Sequence, residues 1–182
     1  CYVKHFALND QEDNRSGVAT WSNEQAIREI YLKAFELPVK EGGTTAIMSS
    51  FNRIGAVWAG GNYDLLTTVL RNEWGFEGMV ITDYFMGGYM SQDQALRAGN
   101  DLMLSTMGAE PTKATTETNT GKQAMRQATK NILYTVANSI GMELGTTGMP
   151  NWMKLLMGVD LALLALVTLG FYKTCLLYTS DA

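Results

Sequence analysis

The sequence predicts an α/β protein over roughly its first hundred residues, with a membrane-spanning helix near the C-terminus. Three observations carry this reading. From Cys1 to about Ser105, short apolar runs alternate with helical patterns joined by short links. Met79, Val80 and Ile81 form a run that is apolar on both faces, as a buried parallel strand requires. The eighteen residues Leu155 to Tyr172 carry a single charge.

Taken in order, Tyr2 to Leu8 reads as a first strand ending in the polar run Asn9, Asp10, Gln11, Glu12. Ser22, with Gln25 three residues on, forms a capping box for a helix. Ala26, Ile27, Ile30, Tyr31, Ala34 and Phe35 then recur at helical spacing, and Pro38 marks the stop. Thr45 to Phe51 is a second strand. Leu65, Leu66, Val69 and Leu70 make the apolar face of a second helix, closed by Gly75. After the third strand, a helix over Gln92 to Ala98 leads to a short fourth strand, Asp101 to Leu104. Alternation of this kind signals a parallel sheet or barrel. Four strands are about half of an eight-stranded barrel.

The fold class is therefore α/β: a partial (β/α)8 TIM-type barrel, followed by an amphipathic helix and a C-terminal transmembrane helix. Half a barrel leaves an open edge on each side, and the first residue is Cys1 rather than Met. Both point to a truncated piece that does not fold stably by itself. Residues 1–107 are assigned to the barrel half. Glu110 to Gly121, rich in Thr, reads as a loop, and Lys122 to Ile140 as a closing amphipathic helix carrying Ala124, Ala128, Ile132, Leu133 and Val136, so that 108–140 form one segment. Residues 141–151 form a Gly/Thr-rich linker and 152–173 the membrane helix.

A span of the hydrocarbon core takes roughly 20 apolar residues. Trp152 and Lys154 on one side, and Tyr172 and Lys173 on the other, stand where interfacial anchors would. Asp160 argues against the span, because a carboxylate at that depth costs about 2.5–3.5 kcal/mol on insertion scales. The alternative is a buried helix with Asp160 at its wet edge. The final stretch, 174–182, fits neither region, looks like translated adaptor read-through, and is set aside as a non-native tail.

Composition narrows the function. With 46% hydrophobic and 18% charged residues the chain is a folding sequence rather than a disordered one. A net charge of -4 gives no electrostatic reason to expect a nucleic-acid partner. Cys1 and Cys175 support neither a disulfide framework nor zinc spacing, and a single histidine, His5, excludes a histidine-based metal cluster within the chain.

Barrel enzymes keep their chemistry at the C-terminal ends of the strands. Those ends offer Lys4 and His5, then Arg53 just past Phe51, then Asp83 with Tyr84. A carboxylate near a histidine, cations and aromatic faces suits sugar chemistry, where a carboxylate meets an oxocarbenium-like transition state. The same residue also fits a metal ligand or a helix cap.

Four blocks resolve the choice: KHFALNDQEDNR at Lys4 to Arg15, IMSSFNRIG at Ile47 to Gly55, LRNEWGFEGMVITDY at Leu70 to Tyr84, and AGNDLML at Ala98 to Leu104. In this order and spacing they resemble glycoside hydrolase family 3, over about residues 2–106. The resemblance implies a β-glycosidase in which Asp83 is the catalytic nucleophile of a retaining mechanism. It implies that Lys4 and His5 hydrogen-bond hydroxyls of the bound sugar. Phe51 falls where relatives often carry a tyrosine, losing a hydroxyl contact but keeping an apolar wall. Tyr84 stands where others carry Trp and keeps a stacking face. Arg15 and Arg53 also match motif positions; Arg53 is a substrate-binding candidate, although holding the barrel loops through ion pairs is the expected role of both. Trp58 and Trp74 are read as packing.

The resemblance calls for no cofactor and no metal. It implies a glycoside or oligosaccharide substrate, and an acid/base residue on a second α/β domain of the same polypeptide. With a membrane helix following the barrel, that domain is expected on the N-terminal side, the reversed order of some bacterial members. The branch acting on N-acetylglucosaminides is disfavoured, because KHF continues as ALNDQE without a second histidine. A glucose- or xylose-type β-glycosidase, single-pass in a bacterial cell membrane with the barrel outside, is the resulting expectation, in a piece that is itself catalytically incomplete. A membrane-anchored sugar-binding homologue without hydrolysis is the alternative, favoured by Phe51 and Tyr84.

Overall fold

The computed structural model describes residues 1–16, 18–143 and 148–180. The chain forms two compact units, Cys1–Met142 and Glu143–Ala182. The first is a TIM-barrel-like α/β unit built on a parallel sheet of β1 (Val3–Phe6), β3 (Ala46–Ser49) and β6 (Met79–Ile81), adjacent in that order. Strands that pair in chain order, each crossing over by way of a helix, are the geometry of a barrel wall. The register is Val3 opposite Ile47, and Ile47 opposite Val80.

The fourth expected strand shortens to a single parallel bridge, Ile81 with Leu102. Backbone bonds still carry the wall outward: Thr82 N–H donates to Leu102 O at 2.9 Å and Phe85 N–H to Leu104 O at 2.7 Å. A small second sheet of β2 (Ala19–Thr20), β4 (Arg53–Ile54) and β5 (Val57–Trp58) lies in the loops beyond β1 and β3. Two-residue strands carry no readable periodicity, which is why the sequence pattern misses them.

The first helical stretch runs from α1 (Glu24–Ala26) through a π-wound turn (Ile27–Tyr31) into α2 (Lys33–Lys40). Its cap is Asn23, not Ser22: the Asn23 side-chain oxygen accepts the Ala26 N–H at 2.8 Å. Pro38 lies inside α2 and does not stop it. The ring removes one N–H from the last turn, and the helix ends two residues later at Lys40. The Pro38 carbonyl then receives Thr44 N–H at 3.0 Å, turning the chain toward β3.

The next helix, a π-wound segment Asp64–Glu73, buries Leu65, Leu66, Val69 and Leu70, the four residues picked by their spacing. Gly75 follows with φ 74°, the left-handed conformation that glycine adopts most easily. The core gathers those leucines with Phe6, Ile47, Val80 and Phe76. α3 (Gln92–Ala98) begins at Ser91, whose hydroxyl accepts Gln94 N–H, and ends at Gly99 with φ 103°.

The expected loop at 110–121 is partly helical, with α4 at Lys113–Thr116 and α5 starting at Asn119. Asp93 on α3 anchors the entry to α4: its carboxylate accepts Thr112 N–H at 2.8 Å and the Thr112 hydroxyl at 2.6 Å. α5 (Asn119–Ala137) ends before the expected Ile140, and a separate turn, α6 (Ile140–Glu143), follows. Its inward stripe is also not the apolar one expected. Ala128 is buried and Ile132 packs against Ala46, Met79 and Ile81, but Leu133 and Val136 are exposed. Gly121, Asn131 and Thr135 occupy the inward positions instead.

Those polar groups are all used. Thr135 Oγ1 accepts Met79 N–H at 2.8 Å and donates to Thr45 O at 2.7 Å. Asn131 Nδ2 donates to Asp101 Oδ1 at 2.8 Å; Asp101 Oδ2 accepts Arg71 Nη2 and Val80 N–H, each at 2.7 Å. Arg71 also donates to Gly78 O and Gly99 O.

In the second unit, α7 runs Asn151–Ser180 as one helix, through the expected membrane segment and into the stretch 174–182. Its Asn151–Cys175 segment contains an 18-residue window with a mean hydropathy of 2.1, none of which is buried. Residues 144–147 of the expected linker and 181–182 of the expected tail lie outside the described residues.

Candidate active site

The site is built where the backbone of β6 is still held on both sides although the strand has ended. Thr82 is buried, its N–H given to Leu102 O, and its Oγ1 accepts Leu104 N–H at 2.9 Å. Asp83, next in the chain, donates its N–H to Ser49 O at 3.2 Å, past the end of β3. The backbone of Asp83 is thus locked between the neighbouring strand ends before its side chain does anything.

The side chain then meets the end of β1. His5 Nε2 lies 3.2 Å from Asp83 Oδ2, with the two side chains 28% and 15% exposed. Asp83 Oδ1 accepts the Tyr84 N–H at 2.8 Å. Both carboxylate oxygens therefore have oriented partners, and the group remains open enough to solvent to meet a ligand. The Lys4–His5 and Phe6–Ala7 peptide bonds are cis.

The aromatic surroundings are ordered by the loops. Tyr84 is exposed, and its hydroxyl pairs with Thr106 Oγ1 at 2.7 Å. Phe51 is buried, and the Arg15 guanidinium lies 4.4 Å from the centre of its ring. Arg15 also pairs with Glu12 at 2.7 Å, inside the loop that follows β1. Arg53 sits 4.6 Å from the ring centre of Tyr89. Trp58 is buried against Phe85 and Tyr89, and Trp74 packs on Phe6, as packing residues do. Lys4 is exposed.

Of the residues picked from sequence, His5, Asp83 and Tyr84 meet directly through the contacts above. Phe51 and Arg53 follow β3, two and four residues beyond the Ser49 carbonyl that receives Asp83 N–H, and their cation–ring contacts are with Arg15 and Tyr89. Tyr89 and Thr106 were missed. An aromatic residue directly after Gly87 and Gly88, in the loop leaving β6, is the one available signal for Tyr89. For Thr106 there was none, because its partner is a hydroxyl in another loop.

A carboxylate fixed at a strand end, 3.2 Å from an imidazole and open on one side, can attack an electrophilic carbon and steady the positive charge that develops there. Known proteins match this part of the chain. The profile described as glycosyl hydrolase family 3 N terminal domain matches residues 1–135. Beta-glucosidase A of Butyrivibrio fibrisolvens is 46% identical over 101 residues, 56% of this chain and 12% of that protein. The exo-alpha-(1->6)-L-arabinopyranosidase of Bifidobacterium breve is 46% identical over 100 residues, 55% of this chain and 13% of that protein. Among solved structures, beta-glucosidase 3B from Thermotoga neapolitana in complex with alpha-D-glucose superposes with a TM-score of 0.70 at 32% identity, covering 83% of this chain and 22% of that one. The chain spans about an eighth of the length of the curated relatives it matches.

Proposed function

The chain belongs to glycosyl hydrolase family 3, and we propose that it supplies the nucleophile-bearing part of a retaining β-glycosidase of the glucosidase type. The observation that carries this is the Asp83–His5 pair at the ends of β6 and β1. An oxygen of the Asp83 carboxylate bonds to the anomeric carbon as the glycosidic C–O bond breaks, and the departing oxygen takes a proton from a general acid. Water then attacks the same carbon, its proton going to that group, and the carboxylate leaves with configuration retained. Retaining hydrolysis uses two carboxyl groups about 5–5.5 Å apart. Asp83 is one, and the acid/base is assigned to another domain of the same polypeptide. The chain alone is therefore inactive in this reading. Lys4, His5, Tyr84, Phe51 and Arg53 bind the sugar or hold the walls around it.

In the same reading α7 is a single membrane span that keeps the barrel at the outer face of a bacterial cell. Its support is an 18-residue window of mean hydropathy 2.1 within Asn151–Cys175, with Trp152 and Tyr172 near the ends. The test is hydrolysis of a panel of aryl β-glycosides by the full-length parent polypeptide beside its Asp83→Asn variant, with a 2-fluoro sugar to trap the covalent adduct. Turnover lost in the variant, with the trapped sugar on the Asp83 peptide, supports the reading. A folded parent that binds sugars and hydrolyses none would sink it in favour of an anchored sugar-binding protein, the reading that Phe51 and Tyr84 favour.

A further inference from the structure

Three consecutive carbonyls follow the end of β3, and each takes a donor from outside its own strand. Ser49 O receives the N–H of Asp83 at 3.2 Å, Ser50 O receives Trp58 Nε1 at 2.9 Å, and Phe51 O receives the Tyr89 hydroxyl at 2.8 Å. The first donor is the backbone of the nucleophile itself. Whatever holds the other two carbonyls also holds the acceptor that fixes Asp83.

Tyr89 is tied to all three strand-end loops. It leaves β6 by way of Gly87 and Gly88, both at positive φ, which reverse the chain. Its hydroxyl bonds the loop after β3 at Phe51 and interacts with Ser16 in the loop after β1. Its ring lies under the Arg53 guanidinium and stands edge-on to Trp58, with centroids 6.4 Å apart and planes at 84°. Burial pushes its phenol above the ordinary tyrosine value, so it stays a protonated donor at neutral pH.

We propose that Tyr89 is a positioning residue of this site: it pins the Phe51–Arg53 wall to the segment that orients Asp83, and so governs how tightly the sugar is held. The proposal rests on the glycosidase reading. Its test is steady-state hydrolysis of an aryl β-glucoside by the full-length parent and its Tyr89→Phe variant, which keeps the ring on Trp58 and beneath Arg53 but removes the donor. KM should rise about 3- to 10-fold, the weight of one neutral hydrogen bond, with kcat within about twofold and the melting temperature held. Trp58→Phe, which frees the neighbouring Ser50 carbonyl, should move KM in the same direction and serves if the first variant does not fold. An active parent whose KM is unmoved in a folded variant overturns the role of Tyr89 alone. A parent without turnover overturns the glycosidase reading, and this proposal with it.

Discussion

Asp83 follows the C-terminal end of β6, Asp101 precedes the bridge that Leu102 makes with that strand, and the two are treated in opposite ways. Asp83 is left partly exposed, with one oxygen on an imidazole and the other on a local backbone N–H. Asp101 is enclosed, its side chain 2% exposed, and held by a guanidinium, a backbone N–H and an amide. Burial pushes the Asp101 carboxyl up, against the downward pull of Arg71, Val80 N–H and Asn131. A carboxylate that takes three donors and is almost wholly withdrawn from solvent has little means of meeting a substrate. One that keeps an open side can. The difference is one of access: Asp83 is open to a ligand, and Asp101 serves the fold.

Substitutions should split the two cleanly. Asp83→Asn in the full-length parent should lower kcat by roughly 10⁴-fold or more, on the scale of losing a nucleophile, and leave the melting temperature where it was. Activity and thermal unfolding measured on the same preparations decide this; a large fall in stability would break the contrast. Arg71→Ala leaves the Asp101 charge buried without its cation and should cost about 3–5 kcal/mol of stability. Denaturant titration reads that loss, and kcat per folded molecule should change little.

A smaller effect is expected at the other end of the strands. Thr135→Val keeps the shape but leaves Met79 N–H and Thr45 O without the hydroxyl between them. Met79 N–H still donates to Thr45 O at 3.1 Å, so the cost should be about 0.5–1.5 kcal/mol by denaturant titration. The smallest lies on the exposed helix face, where Lys40 and Lys33 hold the Glu36 carboxyl below the ordinary glutamate value. A folded pKa below the unfolded one gives stability that is present above about pH 4.3, the unfolded value, and lost as pH falls through the folded one. Glu36→Gln should therefore flatten the acid limb of stability slightly and leave neutral pH nearly unchanged, since exposed pairs contribute little.

Much of the nucleophile side was legible in the sequence. Met79, Val80 and Ile81 announce a buried strand by being apolar in succession, and Asp83 follows where barrel enzymes keep their chemistry. The spacing of Leu65, Leu66, Val69 and Leu70 likewise marks a face that is in fact buried. The inward face of α5 was illegible for a physical reason. Asn131 and Thr135 look like solvent residues, and nothing local says that a carboxylate and two strand-start groups wait for them. Tyr89 was hidden in the same way, since the group it bonds is the Phe51 carbonyl and every residue has a carbonyl. α4 was missed because its anchor, Asp93, lies on another helix. Apolar periodicity is written locally, whereas hydrogen-bond partners are assigned only when the chain closes on itself.

The hydroxyl of Thr135 has a mechanical consequence. It bridges the first residue of β6 and the residue just before β3, which are also bonded to each other by Met79 N–H to Thr45 O at 3.1 Å, so a slide of α5 by one turn, about 5.4 Å, would break both of its bonds to the sheet. The helix acts as a clasp that sets the level of one strand against the other. Asp83 lies four residues beyond Met79 on the same rising strand. The level at which Asp83 follows the end of β6 is thus tied, through the pairing of β3 with β6, to a threonine near the opposite end of that strand.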